Sequence, residues 1–132
     1  MPNTFSKAER LCGKNAIGKL YADGESFLVY PLRIVFCTVP KGEVPARCLI
    51  SAPKKKFKHA TDRNYIKRQI REAYRTNKQE IYRLLEEKDY QLHLAITYIG
   101  SKIEPTGFIE KKMKAVFDKL MESMECSKMQ IS

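Results

Sequence analysis

KKKFKHATDRNYIKRQIREAYR, from Lys54 to Arg75, sets five lysines and four arginines against Asp62 and Glu72. This stretch holds +7 of the chain's formal charge of +10, so the other 110 residues add only +3. At about 100° per residue on a helix, Arg63, Asn64, Lys67, Arg68, Arg71 and Arg75 fall on one side. Ile66, Ile70, Ala73 and Tyr74 form a separate apolar side, which Ile81, Leu84 and Leu85 continue. The spacing predicts a loop over 53–60 and then one long amphipathic helix, capped by Thr61 or Asp62 and running to Glu87. A merely solvated face would mix its signs, with Glu four residues before Lys. Here Arg68 and Glu72 make at most one such pair, and like charges at 63, 67 and 71 repel by a few tenths of a kcal/mol per pair. A face that costs stability on its own points to an anionic partner.

On the N-terminal side of this stretch, Ala46 to Ala52 reads as a strand closed by Pro53 and paired antiparallel with the strand before it. That preceding strand is Leu32 to Val39, the main part of a β-branched and aromatic run from Phe27 that Pro31 interrupts. Pro40 to Pro45 is the connecting turn. Lys7 to Ala22 reads as a first helix with Leu11, Ile17, Leu20 and Tyr21 as its apolar positions, weakened by Gly13 and Gly18 and stopped by Asp23-Gly24. On the C-terminal side, Tyr90, Leu92, Leu94, Ile96 and Tyr98 alternate with Gln91, His93, Ala95 and Thr97, the pattern of a half-buried strand in which His93 is half-exposed. Pro105 opens a last helix with Ile109, Met113, Val116, Phe117 and Leu120 on its apolar side, and about 122–132 reads as a fraying tail.

The expectation is an α+β fold: a single domain over 1–132, a two-layer sandwich in the order α-β-β-(β)-α-β-α. Its sheet is mainly antiparallel, with one parallel pair if the strands at 46–52 and 90–99 are neighbours, and the basic helix is then their crossover. The basic loop and the helix start would lie together beyond a strand's C-terminal end, where free amides and the helix dipole favour phosphate.

With 43% hydrophobic and 30% charged residues the chain is globular, and a pI near 9.5 makes a polyanion the first partner to consider. No apolar run is long enough to span a bilayer, and MPNTFSKAERLCGK lacks the apolar core of a secretory signal, which predicts a cytoplasmic protein. Cys12, Cys37, Cys48 and Cys126 form no CxxC pair, and their spacing with His59 and His93 suits neither a disulfide framework nor zinc, so no metal site is expected. A protein nuclease needs clustered carboxylates or a His pair, but the acids are dispersed and the two histidines lie on different elements. No catalytic residue is therefore expected in the protein. Asn64 offers an amide to a sugar hydroxyl or a base edge, or else caps the first helical turn.

Lys55-Lys56, Arg63-Asn64, Lys67-Arg68, Arg71-Glu72 and Arg75 stand in the register of the protein subunit of bacterial ribonuclease P, which this chain resembles over nearly its whole length. Two departures stand out: Tyr65 occupies the place of the second Arg in the family's Arg-Asn-Arg signature, and Pro53-Lys54 looks like a one-residue insertion. The first helix shows Ile17 and Tyr21 where that family often has a Phe-x-x-x-Phe pattern.

The resemblance implies an endoribonuclease acting as a ribonucleoprotein, in which the RNA subunit with Mg²⁺ removes the 5′ leader of precursor tRNA and the protein is accessory. It implies contact with the catalytic RNA by Arg63, Asn64, Tyr65, Lys67, Arg68, Arg71 and Arg75. A leader cleft between the first helix and the sheet would involve Ile17, Tyr21 and Phe36, with Lys54, Lys55, Lys56, Lys58 and His59 nearby. Its partners would be ribonuclease P RNA and precursor tRNA, with no membrane, no obligate protein partner and no metal held tightly by the protein. A ribosome-associated RNA-binding protein would share the basic helix but stimulate no cleavage. A DNA-binding module would need a short helix and tight turn before its recognition helix, and the strand ending at Ala52 argues against it.

Overall fold

The computed structural model describes residues 9–11, 13–105 and 107–131, with side chains through 123. In chain order these are α1 (Lys14–Asp23), β1 (Glu25–Val29), β2 (Leu32–Pro40), β3 (Ala46–Ser51), α2 (Ala60–Asn77), α3 (Gln79–Glu86), β4 (Tyr90–Tyr98) and α4 (Phe108–Ile131). The four strands form one sheet in the order β1-β2-β4-β3, antiparallel except for the parallel pair β3 and β4. The basic stretch is the crossover between that parallel pair, as its position between two strands predicted.

The pairing of β3 with β2 is corrected: β4 inserts between them, with Phe36 opposite Leu94 and Leu94 opposite Cys48. A central strand needs residues that tolerate burial on both faces. β4 meets this need, being buried at Gln91, His93 and Ala95 as well as at Leu92, Leu94 and Ile96. β3 carries the half-buried Arg47 and Ser51 and suits an edge. Its outer side is blunted by the segment before α1, where Arg10 bridges Cys48 in parallel and the Leu11 N–H donates to the Cys48 carbonyl at 3.0 Å.

That segment also corrects the first helix. Residues 7 and 8 lie outside the described residues, and α1 starts only at Lys14 because Gly13 adopts φ 100°, which breaks the helical path. The predicted long helix divides at Lys78 into α2 and α3, and its cap is His59 rather than Thr61 or Asp62, with no side-chain cap hydrogen bond. Pro31 does interrupt its run, as the turn residue of the β1–β2 hairpin.

Helices cover both faces of the sheet. Leu32, Ile34 and Phe36 of β2 and Leu92, Leu94 and Ile96 of β4 meet Ile66, Ile70 and Tyr74 of α2 and Met113, Val116 and Phe117 of α4. On the other face Val35 and Ala95 pack beneath Leu20 of α1 and Leu11. α1 thus adds a partial third layer to the expected two. α4 continues as backbone helix through Ile131, past the point where fraying was expected. Cys48 is buried and Cys37 half-buried, both free thiols, while Cys12 and the side chain of Cys126 lie outside the described residues.

The covering by α1 explains why His93 is buried, 9% exposed, rather than half-exposed. Its Nε2 meets Gln91 Oε1 at 2.8 Å, and Gln91 Nε2 donates to the Val44 carbonyl at 2.8 Å. Burial above all, then the nearby Arg47 and Lys19 cations, hold its pKa below the ordinary 6.5. Between those two values the unfolded chain binds the extra proton and the fold does not, so stability rises with pH there. This part of the stability is complete above pH 6.5 and declines as pH falls through the depressed value. His93→Gln is expected to flatten the fall in unfolding free energy between about pH 7.5 and about pH 5, read by urea titration; an unchanged slope counts against a neutral buried imidazole.

Candidate nucleic-acid interface

β3 ends at Ser51, and the loop from Pro53 to His59 turns the chain back onto the sheet's end. The amides of Lys56 and Phe57 both donate to the Pro53 carbonyl at 3.3 Å. Phe57 is the loop's anchor, buried with its ring 5.8 Å from that of Tyr98, a burial that contributes about 1.5–3 kcal/mol. Because Phe57 is held inside, Lys54, Lys55, Lys56, Lys58 and His59 all point outward and are exposed. Lys56 Nζ donates to the Ile99 carbonyl at 2.5 Å, which ties the loop to the end of β4.

Arg63 works inside this arrangement. Its Nη1 donates to the carbonyls of Phe57 at 2.8 Å and Lys58 at 3.1 Å, so the first arginine of the helix clamps the loop that precedes it. Helical geometry explains the difference from its neighbours, since position 63 lies about 40° from Lys67 and only about 20° from Ile70, at the margin of the apolar side. Arg75 pairs with Glu72, three residues back, its Nε donating to Glu72 Oε2 at 3.2 Å. This ion pair keeps the Glu72 carboxyl below its ordinary range and replaces the Arg68–Glu72 pairing considered from spacing.

Lys67, Arg68 and Arg71 remain, without an ion-pair partner among the described residues. Asn64 is exposed beside them and caps no turn, since the helix start is four residues upstream. Tyr65 is 40% exposed. α2 is held rigidly behind this row by Ile66, Ile70, Ala73 and Tyr74, the four residues whose spacing assigned them to the core. The row and the basic loop are joined at the start of α2 by the Arg63 clamp.

The expected cleft beside α1 is brought together only in part. Ile17 packs at the edge of the smaller core and Tyr21, one turn on, is 50% exposed on the same side of α1. Phe36 borders a recess beside Lys19 and Asp23 of α1, but it packs in the main core. The alternation that buries Leu32 and Ile34 sends Phe36 into the main core as well, edge-to-face with Phe27 at 5.9 Å, so Val35 and Cys37 are the β2 residues on the α1 side.

Sequence reasoning missed a row on that face. The register aligns Leu28, Arg33, Thr97 and Ser51 across all four strands. Leu28 is 58% exposed, Arg33 is exposed, and the Ser51 and Thr97 hydroxyls lie 3.1 Å apart. The only signal in the sequence was a lone arginine between Leu32 and Ile34, which a strand of period two must turn away from the main core. Ile99, the carbonyl that Lys56 holds, is two residues past Thr97, so the basic loop stands at the end of this row.

The sequence profile of the ribonuclease P family matches residues 5–121. The ribonuclease P protein component of Porphyromonas gingivalis W83 is 34% identical over 116 residues, covering 86% of this chain and 85% of its own length. That of Chlorobium phaeobacteroides is 29% identical over 136 residues, covering 96% and 92%. Among solved structures, the RNase P protein of Staphylococcus aureus superposes with a TM-score of 0.64 at 22% identity, over 86% of this chain and 96% of that one. The Thermotoga maritima RNase P protein gives 0.53 at 21% identity, over 86% and 93%. These two share the fold, an α+β sheet with helices, while the sequence match carries the assignment. The chain belongs to the ribonuclease P protein family, protein components of a ribonucleoprotein nuclease of tRNA processing whose partner is an RNA.

Proposed function

We propose that this protein grips the catalytic RNA of ribonuclease P with the outward row of α2 and guides the 5′ leader of precursor tRNA along the open sheet face beside α1, while the RNA subunit cuts the leader. The observation that carries this reading is that Lys67, Arg68 and Arg71 stand together on a rigid helix with no ion-pair partner among the described residues. Three unpaired cations on one face repel one another unless phosphates lie over them. The exposed lysines of the 54–58 loop extend the surface toward Arg33 and Thr97, the path assigned to the leader. Asn64 would meet a sugar hydroxyl or base edge, and Ile17 and Tyr21 would flank the leader.

Mg²⁺ belongs to the RNA in this reading. Among the described residues no three His, Cys, Asp or Glu side chains gather where one ion could be held, and the reading assigns the protein no metal of its own. Its part is to hold substrate and to screen phosphate repulsion, a service that abundant Mg²⁺ also performs. The test is cleavage of precursor tRNA by the ribonuclease P RNA at low and at high Mg²⁺, with and without the protein, in the cytoplasmic ionic range. Strong stimulation at low Mg²⁺ that fades at high Mg²⁺ is expected. Equal stimulation at both, or RNA binding with no stimulation at all, would sink the reading.

A further inference from the structure

The row of α2 cations has a neighbour of different chemistry. Between the flank of α2 and the start of α4 runs an open groove of about 310 Å³, lined by Tyr65, Arg68, Gln69, Glu72, Ala73 and Thr76 of α2 and by Gly107 and Glu110. Along the helix, residues 65, 68, 69, 72 and 76 share one flank, and Arg68 belongs both to this flank and to the cationic row. Gly107, at φ 92°, presents no side chain and leaves the α4 end of the groove open, with nothing within 4 Å of where a Cβ would stand.

We propose that this groove receives one unstacked nucleobase of the RNA partner, laid against the Tyr65 ring. The proposal rests on the ribonuclease P reading above and gives that interface a base-binding pocket beside its phosphate row. Three features select a base over a phosphate. Tyr65 is a large aromatic left 40% exposed on an otherwise polar helix flank, and every base has a face that stacks on such a ring. Glu110 puts a carboxylate on the lining opposite the Arg75-paired Glu72, an acceptor that suits an exocyclic amino group and disfavours a phosphate. The volume lies at the small end of ligand pockets and suits one base rather than a stretch of strand. Arg68, at the rim, holds the backbone phosphate from which that base swings inward. Gln69 has both a donor and an acceptor for the base edge, and the Glu110 carboxylate favours a base with an exocyclic amino group, an unpaired adenine, cytosine or guanine.

The chain contains no tryptophan, so Tyr65→Trp places a single indole in the groove. Binding of the ribonuclease P RNA is measured over a salt series for wild type, Tyr65→Ala, Tyr65→Phe and Tyr65→Trp, with Lys67→Ala/Arg71→Ala beside them. Tyr65→Ala is expected to weaken binding about 10-fold while the slope of log affinity against log salt stays that of wild type, because stacking releases no counterions. Tyr65→Phe restores the affinity, and the Tyr65→Trp indole is quenched when the RNA is added. Should Tyr65→Ala bind like wild type while the double variant weakens, the groove proposal falls and the phosphate row stands. A loss in Tyr65→Ala that comes with a shallower salt slope, or an indole left unquenched by bound RNA, also overturns it. If wild type stimulates no cleavage, the parent reading fails first and takes this occupant with it.

Discussion

Lys78→Met is expected to destabilise the fold by about 3–5 kcal/mol, seen as a large drop in the urea midpoint. Lys78 is fully buried at the junction of α2 and α3, with its Nζ 2.6 Å from Glu9 Oε2 and 5.0 Å from the centre of the Tyr82 ring. The Tyr82 hydroxyl donates to the same carboxylate oxygen at 2.5 Å, and the Tyr74 and Tyr82 hydroxyls meet at 2.9 Å. Burial foremost pushes both tyrosines above their ordinary pKa, so they stay neutral. The network ties residue 9, beside the outer edge of β3, to the crossover that carries the cationic row. Removing only the cation leaves a carboxylate in a dry site, whereas removing both charges does not. Glu9→Gln/Lys78→Met should therefore regain much of the stability that Lys78→Met loses. If the double variant is as unstable as the single one, lost packing rather than an uncompensated charge is the cause.

That network also marks where sequence reading stops. Ile66, Ile70, Ala73 and Tyr74 were legible because a 3.6-residue period is a local property of the chain, and local properties survive folding. Glu9 and Lys78 stand 69 residues apart, and nothing near either residue announces the other. The break of the long helix at Lys78 was hidden for the same reason, since a buried pair fixes that residue there and local propensity favours continuing. The antiparallel pairing of β3 with β2 followed from their short connection, but burial on both faces decides which strand is central, and α1 supplies the second face of β4. His93 was misplaced through that same helix, whose presence buries it, while Phe36 packs in the main core and only borders the recess beside α1. For the candidate interface, charge and periodicity located the helix, while the clamp made by Arg63 and the pair made by Arg75 required the fold.

The division of labour among those arginines leads to the second large effect. Lys67→Ala/Arg68→Ala/Arg71→Ala is expected to weaken binding of the ribonuclease P RNA by about 100-fold or more, at more than 1 kcal/mol for each charge-assisted contact. The slope of log affinity against log salt should become shallower by about 2–3, since each phosphate neutralised contributes about 0.7–0.9. The same substitutions should leave the urea midpoint unchanged or slightly raised, because these three side chains have no ion-pair partner among the described residues and 67 and 71 repel as an i,i+4 pair. Arg63→Ala should behave otherwise, losing stability along with binding as the loop carbonyls of Phe57 and Lys58 lose their donor. Affinity and stability therefore separate at Lys67, Arg68 and Arg71 and move together at Arg63. If the triple variant loses affinity with an unchanged salt slope, phosphates do not lie over this row, and the RNA is gripped by the loop at 54–58 instead.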